Sequence, residues 1–236
     1  MIVAIVQARV GSTRLPGKVL RDLHGMPILG HVLTRAKAIP RVEAVCCAIP
    51  DSRENDMVSE IASGFGAKVV RGPEQDVLTR YLLAAQACSA SVIMRVTSDC
   101  PLLDPVVSGE VLAAFLERGV DYVSNVDPRS WPRGLDTEVF SRSVLVRMAL
   151  EASDTGDREH VTPWLRRTSG IRRLNVAQPD ARYASWRWTL DYPEDLAFAQ
   201  AILAGLPPPP YMPGFQELRR VIEARPAIGS INSHLT

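Results

Sequence analysis

The fold is decided by the opening stretch IVAIVQARVGSTRLPGK, residues 2–18. Its apolar, mostly β-branched start predicts a buried strand over residues 2–6. The strand runs directly into a loop that combines two glycines, two hydroxyl side chains and three cations. Such a loop at the end of a strand offers free backbone N–H groups and fixed positive charge to a polyphosphate. A basic loop that binds nothing is the alternative.

Two common phosphate-binding motifs are absent from this loop. Walker A has four residues between its first glycine and the Gly-Lys pair, then Ser or Thr. Here five residues separate Gly11 from Gly17, and Val19 follows Lys18. The spacing Gly-x-Gly-x-x-Gly is missing too, so neither a P-loop NTPase nor a dinucleotide-binding fold is predicted.

Short apolar runs alternate with segments of helical period as far as about residue 125, which is typical of a parallel sheet covered by helices. Further strands are predicted at residues 44–49, 68–71, 92–96 and 120–124. We expect a mostly parallel, Rossmann-like α/β sandwich of three layers. Residues 125–176 break the rhythm and predict an inserted arm. Residues 186–190 predict a strand that returns to the sheet.

The predicted domains are a body over residues 1–206, which includes the insertion, and a tail over residues 207–236. Four consecutive prolines at 207–210 predict a stiff spacer before a tail helix near 215–224.

Composition excludes several classes of protein. The chain has 236 residues and 27 basic against 26 acidic side chains, a net charge of +1. No global field therefore draws it to nucleic acid or an anionic membrane. No apolar run approaches the roughly 20 residues of a membrane span. The four cysteines lack metal-site spacing, which favours a reducing, cytoplasmic location.

Two aspartates follow predicted strands and precede predicted helices. Asp99 ends the fourth strand, and a strand order of 3-2-1-4 would place it beside the basic loop. A carboxylate next to a polyphosphate requires a hard cation between them, so Mg²⁺ is predicted. Asp191 could complete the metal site if its strand joins the same sheet. The alternative for each aspartate is a helix or turn cap.

The motifs together resemble a known family. The run Gln-Ala-Arg-x-Gly-Ser-Thr-Arg-Leu-Pro-Gly-Lys at 7–18 is similar to the opening motif of the cytidylyltransferases that activate acidic sugars, the acylneuraminate and KDO type. Ser98-Asp99-Cys100-Pro101 and Leu190-Asp191-Tyr192-Pro193 resemble that family's metal-aspartate motifs. Segments 74–78, 134–140, 158–163 and 223–232 resemble the branch named after the spore coat polysaccharide protein SpsF.

The resemblance implies a nucleotide-diphospho-sugar transferase fold of the GT-A-like kind, with CTP in the crevice and pyrophosphate displaced from its α-phosphorus. It implies catalytic roles for Arg9, Lys18, Asp99 and Asp191, with Mg²⁺ on the two aspartates. The implied nucleotide-binding set is Ala8, Arg9, Gly11, Ser12, Arg14, Lys18, Arg71, Asp76 and Ser98. It also implies a homodimer, for which Trp131, Leu145, Met148 and Trp164 are candidate contacts.

Candidates for contacts with the acceptor lie in the predicted insertion. They are Arg133, Asp136, Glu138, Arg158, Glu159 and His160. KDO enzymes have a Gln-Gly-Asp-Glu-Pro type of sequence where this chain has Thr97-Ser98-Asp99-Cys100-Pro101. We therefore expect an anionic sugar acceptor that differs from KDO.

Two other functions are alternatives. One is a metal-dependent glycosyltransferase that uses a nucleotide sugar, a chemistry that normally relies on a DxD motif, which this chain lacks. The other is a noncatalytic nucleotide-binding subunit. The combination of Arg9, Lys18, Asp99 and Asp191 argues against it.

Overall fold

The structure is a computed structural model that describes residues 1–235. The strands are β1 (Ile2–Gln7), β2 (Asp22–Leu23), β3 (Met26–Pro27), β4 (Ala44–Pro50), β5 (Lys68–Gly72), β6 (Val92–Thr97), β7 (Tyr122–Ser124), β8 (Glu138–Ser141) and β9 (Arg173–Asn175). The helices are α1 (Ile28–Lys37), α2 (Asp56–Gly64), α3 (Val77–Ala87), α4 (Pro105–Arg118), α5 (Arg142–Glu151), α6 (Thr155–His160), α7 (Pro163–Arg167), α8 (Pro193–Leu203), α9 (Phe215–Ala224) and α10 (Pro226–Ser230).

The central sheet has the order β5-β4-β1-β6-β8-β7-β9. Its first four strands pair in parallel, which confirms the predicted 3-2-1-4 order. The alternating apolar runs produce this arrangement because strands buried on both faces need helices above and below. The carboxyl ends of β1 and β6 therefore lie side by side, with Gln7 paired to Thr97.

Two apolar layers cover the two faces of the sheet. On one face, Ile5 and Ile93 pack with Leu78 of α3 and Leu145 of α5. On the other face, Val6 and Val96 pack with residues of α1, α2 and α4. Alternate residues of each strand thus enter opposite layers, as the period of two requires.

The segment predicted as an insertion contributes strands to this sheet. β8 lies between β6 and β7 and runs antiparallel to both, and β9 pairs with β7 at the edge. Four of its side chains were predicted as candidate dimer contacts, but they are buried in the chain's own core: Trp131, Leu145, Met148 and Trp164. They cannot supply a dimer surface in this fold.

The predicted returning strand at residues 186–190 is wrong. This segment is extended, but within residues 1–235 its only β-bridge is an isolated one, between Arg187 and Arg133. Gly134 makes the close approach possible, because a Cβ there would lie 2.5 Å from the Trp188 carbonyl carbon. The segment therefore lies against a loop rather than in the sheet.

The tail helices pack on the body in a third apolar cluster. Phe215 and Leu218 of α9 are buried with Trp131, Trp188 and Phe198. No helix within residues 1–235 is both long and apolar enough to cross a membrane.

Candidate functional site

A cleft of 320 Å³ opens at the carboxyl ends of β1 and β6. The basic loop that follows β1 forms one wall, and the turn that follows β6 forms the floor. The loop is held in place by Asn55, whose side-chain oxygen accepts from the Val10 N–H at 3.0 Å. The cleft therefore lies at the position where open α/β sheets bind their ligands.

The centre of the cleft is an ammonium held by two carboxylates. Lys18 Nζ donates to Asp191 Oδ1 at 2.7 Å and to Asp99 Oδ2 at 3.3 Å. It also donates to the Leu190 carbonyl at 2.9 Å. The Lys18 side chain is only 12% exposed, so these contacts are shielded from water.

Asp191 reaches Asp99 without a shared β-ladder. The Leu190 N–H donates to the Asp99 carbonyl at 2.8 Å, and the Thr189 hydroxyl donates to the same oxygen at 3.2 Å. These two bonds fix the segment that carries one carboxylate to the turn that carries the other.

The helix that follows is capped by another residue. The Asp195 carboxylate accepts from the N–H groups of Asp191 and Tyr192 at 2.9 and 3.0 Å. Asp195 is fully buried and also binds Arg187 through two hydrogen bonds. The interpretation of Asp191 as the helix cap is therefore wrong, and its carboxylate is directed to Lys18 and to Arg14, 3.4 Å away.

Mutual attraction sets the charges of this cluster. Burial by itself lowers the pKa of Lys18, but Asp99 and Asp191 outweigh burial and raise it. Burial would raise the pKa of Asp99, but the Lys18 charge and a hydrogen bond from Thr97 hold it below its ordinary value. Lys18 and Asp99 are therefore both ionised at neutral pH.

The donor set of the cluster fits a hard divalent cation. Two carboxylate oxygens and a backbone carbonyl surround the position now taken by the Lys18 ammonium. Within residues 1–235, no group of three or more His, Cys, Asp and Glu side chains could form a metal site from the protein alone. Mg²⁺ is commonly held by one or two carboxylates together with substrate phosphates, which matches this pair.

Most of the predicted catalytic and nucleotide-binding residues line the cleft. They are Ala8, Arg9, Gly11, Ser12, Arg14, Lys18, Ser98, Asp99 and Asp191. Two predicted residues lie outside its lining. Arg71 pairs with Asp56 at 2.6 Å, and Asp76 caps α3 by accepting from the Thr79 N–H at 2.9 Å.

The predicted acceptor residues divide between the cleft and its surroundings. Glu159 and His160 of α6 line the cleft. Arg158 binds Asp76, Asp136 binds Arg129, and Arg133 forms the bridge to Arg187. The side chains of Arg158 and Asp136 thus pair within the protein, whereas Arg133 contacts residues 186–188 through its main chain and its side chain is exposed.

The prediction that Glu138 contacts the acceptor is wrong. Its side chain is 2% exposed and lies behind the cleft, where Arg95 and Arg166 donate to it. A carboxylate sealed by two guanidinium groups cannot accept a bond from a ligand in the cleft.

Several lining residues were absent from the predicted set: Gln7, Thr13, Glu74, Gln75, Arg80, Arg95 and Thr97. Arg95 carries a clear signal, because a charge inside the apolar run of a central strand requires a partner or a ligand. Glu74 and Gln75 follow β5, another strand that ends at this edge of the sheet.

The sequence matches known proteins over most of its length. A family model described as "Cytidylyltransferase" matches residues 3–206. The spore coat polysaccharide biosynthesis protein SpsF of Bacillus subtilis is 30% identical over 208 residues, which cover 85% of each chain.

Two solved structures share the fold. A cytidylyltransferase from Leptospira borgpetersenii serovar Hardjo-bovis superposes with a TM-score of 0.90 at 29% identity and covers 97% of this chain and 96% of its own. A CMP:2-keto-3-deoxy-manno-octonic acid synthetase complexed with CTP has a TM-score of 0.65 at 21% identity. It covers 86% of this chain and 98% of its own, and this likeness shows the fold alone.

Proposed function

This chain belongs to the cytidylyltransferase family, and on that premise we propose that it transfers CMP from CTP to an acidic sugar or related anionic precursor of a surface polysaccharide. The observation that carries the proposal is the Lys18 ammonium between Asp99 and Asp191, beside a basic loop at the carboxyl end of β1. Positive charge for a triphosphate and oxygen ligands for a metal thus share one cleft.

The reaction requires alignment and charge neutralisation more than covalent chemistry. An acceptor hydroxyl oxygen forms a bond to the α-phosphorus of CTP, and the bond from that phosphorus to the bridging oxygen breaks. Pyrophosphate leaves with the electron pair, and the hydroxyl proton passes to solvent. Arg9, Arg14 and Lys18 are the cations that would neutralise the triphosphate.

We assign Mg²⁺ to the carboxylates of Asp99 and Asp191. When bound, Mg²⁺ would offset phosphate charge and lower the pKa of an attacking hydroxyl. Lys18 would then turn from the carboxylates to the phosphates. The Leu190–Asp99 hydrogen bond would keep the two segments that carry the carboxylates together.

The test is a pyrophosphate-release screen of the four nucleoside triphosphates with Mg²⁺ against acidic sugars and sugar phosphates. We expect release with CTP and one class of anionic acceptor, and none with Asp99→Asn. Sugar transfer from a nucleotide sugar without pyrophosphate would instead indicate a glycosyltransferase. CTP binding without turnover on any acceptor would indicate a noncatalytic subunit.

A homodimer and a cytoplasmic location belong to the same proposal. Because Trp131, Leu145, Met148 and Trp164 are buried within the chain, a dimer would use other surfaces. Light scattering that gives the mass of a single chain at working concentration would contradict the dimer.

A further inference from the structure

Arg95 is a buried cation on the floor of the cleft. It lies in β6 within the run Val-Ile-Met-Arg-Val-Thr, and its side chain is 13% exposed. One terminal nitrogen donates to Glu138 at 2.6 Å. The Nε is buried without a hydrogen-bond partner within residues 1–235, and the other terminal nitrogen makes no hydrogen bond there either.

The carboxylate behind Arg95 serves more than one cation. Glu138 also accepts from Arg166 at 2.7 Å and from the Tyr122 hydroxyl. One negative charge is thus shared by two guanidinium groups, which leaves an excess positive charge at the cleft floor. A buried charge without full compensation is costly, so an anion in the cleft would complete the cluster.

Arg95 and Lys18 approach the cleft from opposite faces of the sheet. Glu159 and His160, two predicted acceptor residues that line the cleft, belong to α6, and α6 packs against α3. Arg95 is paired in register with Ile5 of β1, and both belong to the face covered by α3 and α5. Lys18 precedes α1, which covers the opposite face. The cleft therefore extends from the basic loop toward Arg95, on the face covered by α3 and α5.

We propose that Arg95 binds the anionic group of the acceptor, a carboxylate or a phosphate, and that Glu138 fixes the direction of its guanidinium. This inference rests on the proposed transfer of CMP, because it assigns the second substrate of that reaction. It replaces Glu138 by Arg95 as the acceptor contact of this strand pair. Glu138 then acts as a positioning residue.

The test is anion binding to protein already saturated with CTP, whose triphosphate would occupy the basic loop. Inorganic phosphate and sodium acetate are titrated separately by calorimetry into wild type, R95Q and R95K. We expect wild type to bind one of the two anions at a single site. R95Q should weaken that binding at least tenfold and R95K about threefold or more, since lysine keeps the charge but loses the planar fork.

The matched control is R172Q, because Arg172 also pairs with one carboxylate but lies 68% exposed and outside the cleft lining. It should bind the anion as wild type does. The CTP affinity of R95K should stay within about threefold of that of wild type. If R95Q does not fold, R95K alone tests the proposal.

Three results would overturn the assignment: no anion binding by CTP-saturated wild type, anion binding by R95K equal to wild type, or a loss of CTP affinity as large as the loss of anion affinity. The last result would place Arg95 on the nucleotide. Failure of wild type to bind CTP would contradict the proposed function instead. In that case, anion binding is compared between wild type and R95K without CTP, and equal binding would overturn the role of Arg95.

Discussion

Lys18 Nζ lies 2.7 Å from Asp191 Oδ1, although Asp191 comes 173 positions after Lys18 in the sequence. The ammonium also touches Asp99, and the three groups form a nearly enclosed cluster. Arg14 and Arg187 also lie 3.4 Å from Asp191, so three cations share the two carboxylates. A divalent cation in the place of the ammonium would add one positive charge, which the phosphates of CTP would offset.

Replacing Lys18 by methionine should weaken CTP binding about tenfold or more, because bonds to charged groups are worth about 1.5–3 kcal/mol. Asp99 would then lose its ion pair, although Arg14 and Arg187 would still lie 3.4 Å from Asp191. Millimolar Mg²⁺ should consequently raise the melting temperature of Lys18→Met more than that of wild type. Calorimetry and thermal unfolding measure the two effects, with the exposed Lys37→Met as control. Unchanged CTP affinity would remove Lys18 from the nucleotide site.

Asp191→Asn and Asp195→Asn form a matched pair four residues apart. Asp191→Asn should abolish metal-dependent turnover while the melting temperature falls by only a few degrees, since Lys18 keeps Asp99. Asp195→Asn should lower the melting temperature by about 10 °C, because it breaks a buried ion pair worth roughly 3–5 kcal/mol. Turnover and thermal unfolding are measured on both variants, which separates a role in the reaction from a role in stability. Retained turnover in Asp191→Asn would leave Asp99 as the sole supported metal ligand.

Glu138→Gln should destabilise the protein at pH 7 by about 3–5 kcal/mol, because two guanidinium groups lose their shared carboxylate. Burial by itself favours the neutral carboxyl, but Arg95 and Arg166 lower the pKa of Glu138 to about 2. The folded state therefore binds fewer protons than the unfolded state below the ordinary value of 4.5.

The contribution of the Glu138 carboxylate is complete above that ordinary value and is lost as the pH falls toward 2. The difference between wild type and Glu138→Gln should shrink accordingly when urea unfolding is repeated at pH 3. Glu151→Gln is the control, because the exposed pair of Glu151 with Arg147 is worth little at any pH. A difference that does not depend on pH would contradict the ionised pair.

Arg158→Lys should loosen α6 on the body. The Arg158 guanidinium joins Asp76 and Thr79 of the α3 start to the carbonyls of Ala149 and Ala152. A lysine cannot reach all of these acceptors, so faster hydrogen exchange is expected in α6, with a loss of roughly 1–2 kcal/mol. Unchanged exchange together with a raised KM for the acceptor would instead indicate direct contact of Arg158 with the substrate.

Local patterns predicted the elements that position the cleft. The apolar run before the basic loop and the turn at Asp99 carry their information in consecutive residues, and the structure brings both to one edge of the sheet. The place of β8 between β6 and β7 depends on pairing between distant segments, which a local pattern does not contain.

The role of Glu138 shows the same limit at the level of one side chain. Its residue type and loop-adjacent position suggest a ligand contact, yet cross-strand pairing with Arg95 turns it into the interior. The segment before Asp191 has a strand-like sequence but lies on a loop, because Gly134 admits its backbone there.

The bonds from Leu190 and Thr189 to the Asp99 carbonyl also bear on how the protein is made. While the chain is synthesised from its N-terminus, the basic loop and Asp99 emerge long before Asp191. Asn232, near the other end, then holds the Arg187 carbonyl and Asp195. A nascent chain that has emerged only to residue 180 can form most of the sheet but has one of the two carboxylates. The proposed metal site is therefore completed only after the segment that carries Asp191 has emerged and bonded to the turn at Asp99.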